Sequence, residues 1–94
     1  MEKSIFTPEY AVLRAALVSI RKNAGLTQRD VARRLKVPHS WVAKVESGER
    51  RIDVVEMCLF SSACEVDPAV FCSDLVPQIA SVQAKRHRKG KRLR

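Results

Sequence analysis

Three cysteines, two histidines and a scatter of hydroxyl groups carry the chemistry open to this chain, and their spacing argues against most of it. Cys58, Cys64 and Cys72 are odd in number and lack paired CxxC spacing. His39 and His87 lie far from them in sequence, so a structural zinc centre lacks ligands and no metal or other cofactor is expected. Reduced, mostly buried thiols are the expectation, with a redox switch or an intersubunit disulfide as the alternative. No Ser–His–acid or paired-carboxylate set recurs, which argues against an enzyme. What remains is non-covalent chemistry. His39, Ser40, Lys44 and Ser47 gather hydrogen-bonding groups of three kinds into one short stretch, flanked by Arg50 and Arg51.

The elements that must position those residues are legible in residues 26–48. Two short amphipathic helices joined by a tight turn fit this segment. Val31 and Leu35 face one way on the first, and Val42 and Val45 on the second. Val37 plugs the turn, and Ala32 leaves room for a close crossing. Thr27 is a suitable N-cap with Asp30 as its capping-box partner, and Gly48 a suitable C-cap. With the valines turned inward, Ser40, Lys44 and Ser47 fall on the opposite face and His39 at its start. Such a pair presents its second helix to the major groove of DNA. An ordinary helical hairpin is the alternative, but it leaves the charge pattern unexplained.

The net charge of +8 is segregated. Residues 1–20 are neutral, 21–51 carry +6, 52–84 carry −5 with no Lys or Arg, and 85–94 carry +7. Positive charge thus coincides with the helix pair and the tail, the footprint of a polyanionic partner. With 94 residues the chain makes one domain, small enough to gain from a partner subunit. There is no apolar run for a membrane span and no signal-peptide layout, so a cytoplasmic protein is expected.

Three further helices complete an all-α reading, with no strand expected. Thr7-Pro8 starts the first, in which Tyr10, Leu13, Leu17, Ile20 and Ala24 recur at helical spacing before Gly25 stops it. Asp53 with Glu56 opens the fourth, which runs to about Cys64; Ile52 and Met57 are its candidate staple. Asp67-Pro68 opens the fifth, carrying Val70, Phe71 and Leu75, and Pro77 should end or kink it. The expected organisation is a flexible 1–6, a domain over 7–84 and a disordered basic tail over 85–94. That tail could touch DNA phosphates, fold back on the acidic segment, or simply be solvated.

The runs Arg21-Lys22-Asn23-Ala24-Gly25-Leu26-Thr27-Gln28, Val31-Ala32-Arg33-Arg34-Leu35 and Ser40 to Arg51 together resemble the phage repressor and Cro type (XRE-like, lambda-repressor-like) helix-turn-helix family. Asp67-Pro68 with Phe71 resembles the entry to that family's last helix, so the similarity spans about residues 10–76. It implies a compact five-helix DNA-binding domain with its helix-turn-helix at about 27–47. It also implies a transcriptional regulator, usually a homodimer on a palindromic operator of double-stranded DNA.

Carried over, the resemblance gives base contacts to His39, Ser40, Ala43 and Lys44, and phosphate contacts to Gln28, Ser47, Arg50 and Arg51. Trp41 either donates its indole N–H to a phosphate or lids the core. Arg21 and Glu46 resemble a family ion pair. Val54, Leu59, Phe60, Val70 and Phe71 are the expected dimer interface, exceeding what one small core can hide. Lys36 stands where the family commonly has Gly; either the turn keeps a left-handed backbone there, at a cost to Lys of roughly 1 kcal/mol, or Pro38 reshapes it by restricting Val37 to extended geometry. The alternative function is an antitoxin-like accessory subunit that keeps the fold and grips an unidentified protein partner. RNA binding is disfavoured by the lack of aromatic stacking platforms.

Overall fold

Each helix begins where a side chain can satisfy its orphan backbone amides. The computed structural model describes residues 6–92, so the expected flexible segment 1–6 lies, apart from Phe6, outside the described residues. Helix α1 (Pro8–Asn23) is capped by Thr7, whose Oγ1 accepts from the Tyr10 amide at 3.1 Å. Helix α2 (Gln28–Leu35) starts with the full Thr27–Asp30 capping box, its two bonds 3.0 and 2.8 Å long. Helix α3 (His39–Ser47) follows Pro38, which offers no side-chain cap. Helix α4 (Val54–Ala63) repeats the capping box with Asp53 and Glu56, and α5 spans Pro68–Arg92. No strand occurs among the described residues.

Two left-handed residues shape the unit that matters here. Lys36, between α2 and α3, has φ 59° and ψ 43°, so the turn does demand the conformation that is costly for a residue with a Cβ. Gly48, closing α3, has φ 87° and is also approached by α1: a Cβ there would sit 3.0 Å from Arg14 Nε.

The apolar faces meet as the sequence pattern requires. Leu17, Val31, Val42, Val45 and Phe60 are fully buried, joined by Ala32, Ile52, Cys64, Phe71 and Leu75. Leu35 and Val37 pack against this cluster from the edge of the turn. Helix α1 lies along α5, α2 crosses α3, and α4 closes the core against α2 and α5. Burial pushes the Cys64 thiol up to about 11, which leaves it inert at neutral pH.

Two expectations are corrected. Phe60 and Phe71 are 0% and 3% exposed within the single chain, so they are core residues and cannot form a dimer interface. The apolar surface left on α4 and α5 is instead Val54, Val55, Leu59, Val70 and Val76. Pro77 does not end α5. Its missing N–H forfeits only the bond to the carbonyl of Ser73, which is exposed and can take water, while Ile79 beyond it packs on the core. The helix runs on into the basic segment where an unstructured tail is expected, and Arg86 there contacts Glu9 of α1.

Candidate nucleic-acid interface

Helix α3 is held from below and bare above. Val42 and Val45 are 0% and 1% exposed, whereas His39, Ser40 and Lys44 are exposed and Ala43 borders them half-buried. A nine-residue helix shows this two-sidedness because residues three and four apart share a face. The strip holds an imidazole, a hydroxyl and an ammonium, with no carboxylate among them.

A chain of polar contacts fixes the start of this strip. Arg21 of α1 grips Glu46 in a fork, Nε donating to Oε2 at 2.6 Å and Nη2 to Oε1 at 2.9 Å. Its Nη1 also donates to the Leu26 carbonyl at 2.9 Å, tying in the loop before α2. The hydrogen bond to Glu46 raises the Arg21 pKa further, against the opposing effect of burial. Glu46 Oε1 also accepts from Gln28 Nε2 at 2.9 Å, and Gln28 Oε1 meets His39 Nε2 at 3.2 Å. The ion pair read in the sequence is therefore present, and it continues into a relay. Gln28, expected at a phosphate, has its side chain committed to this relay. Only its backbone amide, at the positive end of α2, is left for an anion.

The other end of α3 is arranged differently. Arg50 places Nη1 at 3.3 Å and Nη2 at 3.1 Å from the Glu56 carboxylate. Its Nη1 also donates to the Arg51 carbonyl at 2.6 Å, and its guanidinium lies 4.8 Å from the centre of the Trp41 ring. Trp41 itself is half-buried against the core, which favours the lid over the phosphate donor. The Arg50 hydrogen bonds, followed by the Asp53 amide, hold the Glu56 carboxyl below the usual range. Ser47 Oγ lies 3.2 Å from the Lys44 carbonyl and 3.0 Å from Glu49 Oε2, turned back on its own loop. Of the three residues expected at phosphates here, only Arg51 keeps an exposed side chain with no acidic partner among the described residues.

Sequence reasoning missed the Gln28 relay and the Arg50–Glu56 fork. The first could be found from position, since Gln28 and His39 each open a helix of the same hairpin. The second could be found from Glu56, an acid directly after a basic loop. Arg29 is exposed, Arg33 pairs with Asp30, and Arg34 donates to the Ala63 carbonyl and to Glu65. Among the described residues no three His, Cys, Asp or Glu gather as a metal site, and no helix is long and apolar enough to cross a membrane.

Comparison with known proteins places this geometry. Residues 12–71 match the helix-turn-helix domain family. An XRE-family like protein from Pseudomonas syringae pv. tomato str. DC3000 has a similar solved structure, with a TM-score of 0.71 and 38% sequence identity. That match covers 74% of this chain and 85% of the other. None of the curated proteins matches the sequence.

Proposed function

The chain belongs to the XRE-type helix-turn-helix family of DNA-binding transcriptional regulators, and from that premise we propose how it reads its operator. His39, Ser40 and Lys44 contact base edges in the major groove, and Ala43 offers an apolar contact, as to a thymine methyl. Lys44 donates to guanine O6 and N7. The observation that carries this reading is the exposed strip of α3 above fully buried Val42 and Val45. The Gln28 backbone amide and Arg51 set the register on phosphates. Arg50 joins them when a phosphate oxygen displaces Glu56.

Two copies associate through the apolar face of α4 and α5, where Val54, Leu59 and Val70 are 71%, 56% and 53% exposed. They then span a palindromic operator, each copy placing one α3 in a half-site. Selection of bound duplexes from a random pool, at stated salt, tests the proposal. The expected result is a two-fold sequence whose binding falls steeply with salt. Binding with no base preference, or salt-insensitive capture of one protein instead, favours the antitoxin-like accessory role.

A further inference from the structure

The relay ending at His39 dictates where the proton on its ring sits. Ionised Glu46 can only accept, so Gln28 must turn its amide nitrogen toward it, at 2.9 Å. That turn leaves Gln28 Oε1 facing His39 Nε2 at 3.2 Å. Two lone pairs cannot bond each other, so Nε2 carries the hydrogen. In the neutral ring Nδ1 is then an acceptor, and no described residue donates to it although His39 is exposed. Arg21 makes the arrangement rigid, because it holds both Glu46 oxygens and is itself only 11% exposed.

We propose that the Arg21–Glu46–Gln28 relay makes His39 a specificity-determining reader of exocyclic amines. Its Nδ1 accepts from adenine N6 or cytosine N4 at the base pair beneath the start of α3. Guanine presents only acceptors in the major groove, and thymine an acceptor and a methyl, so both are rejected there by facing lone pairs. A histidine without the relay would use either tautomer and discriminate little. This inference rests on the DNA reading above and adds to it a donor–acceptor rule set by a residue, Gln28, that touches no base.

Two measurements on the full chain test it. In the free protein at about pH 8, where an ordinary histidine is neutral, two-bond proton–nitrogen spectra should show His39 almost wholly with hydrogen on Nε2. Gln28→Ala should give a mixture of tautomers. In selection from random duplexes, one base pair should lose its preference in His39→Ala, and replacing only the exocyclic amine of that pair's adenine or cytosine by hydrogen should weaken the unaltered chain about tenfold and His39→Ala hardly at all. Gln28→Ala should erode that preference by about tenfold, the scale of one good hydrogen bond. Gln28→Glu should instead transfer it toward guanine or thymine, because a carboxylate at Nε2 favours the doubly protonated ring. A hydrogen on Nδ1, no loss when that exocyclic amine is removed, or an unchanged preference in Gln28→Ala overturns the inference. Absence of any base preference overturns the DNA reading and the amine rule with it, while the ring spectrum still judges the relay separately.

Discussion

Two arginine–glutamate forks hold α3 and the loop after it, and they differ in what surrounds them. The Arg21 and Glu46 side chains are 11% and 6% exposed, and from Glu46, near the end of α3, the contacts run through Gln28 back to His39 at its start. The Arg50 and Glu56 side chains, beyond the end of α3, are 38% and 28% exposed, and Arg50 sits over Trp41. Similar bonds therefore serve different ends. A buried fork cannot trade its partner for water or phosphate without leaving a charge unpaired, so it fixes direction. A half-exposed fork exchanges partners at little cost, so it can release its arginine to a phosphate. On the proposed reading, the buried fork steadies the choice among bases and the half-exposed fork adjusts affinity.

The sharpest way to break that comparison is to remove each acid. Glu46→Ala should cost about 3 kcal/mol of folding stability, since it strands buried Arg21 and frees Gln28. Glu56→Ala should cost under about 1 kcal/mol, its partner being able to turn to solvent. Denaturant midpoints of both variants check this, and equal losses would abolish the distinction between the two forks. On the binding side, Lys44→Ala should weaken one operator by ~1–3 kcal/mol and relax choice at a single base pair. Arg51→Ala should weaken all sequences alike and lower the salt slope by about one. If both variants lose specific and non-specific affinity in the same proportion, the division between base and phosphate contacts fails.

A smaller effect is expected away from α3. Leu59→Asp changes a side chain 56% exposed in the single chain, so stability should hardly move. Sedimentation at rising concentration should then lose the dimer expected of the unaltered chain. A species that stays monomeric before any substitution would assign the apolar face of α4 and α5 another occupant.

How much of this was legible in the sequence follows from how local each interaction is. Both capping boxes, the Thr7 cap and the buried Val31, Val42 and Val45 were readable because each depends on residues within a turn or on helical spacing. The Arg21–Glu46 pair crosses 25 residues and came only through the family resemblance. Phe60 and Phe71 misled because helix periodicity gives a face but not its partner, and α4 and α5 use these rings to fill the centre. Of the two outcomes open for Pro77, ending α5 does not occur, because the rule against internal proline assumes that the lost carbonyl bond goes unreplaced. On a solvent-facing turn it does not. The phosphate contacts of Gln28 and Arg50 come from the family resemblance, Gln28 also from its place at the positive end of α2, and their acids Glu46 and Glu56 can be matched to them only in three dimensions.

Acid supplies the smallest and most local test of the exchangeable end. The Arg50 fork and the Asp53 amide lower the Glu56 pKa, so its contribution is intact above the ordinary glutamate range and is lost as pH falls through the lowered value. Arg50 should then loosen over Trp41, the only tryptophan of the chain, and its fluorescence should change in a single step below the ordinary glutamate range. Glu56→Gln should abolish that step while leaving the emission near its acid-side value at all pH. Were the step to persist in Glu56→Gln, the Trp41 signal would be following wider acid unfolding. The Arg50 fork would then have no independent freedom to set against the rigidity of the Arg21 fork.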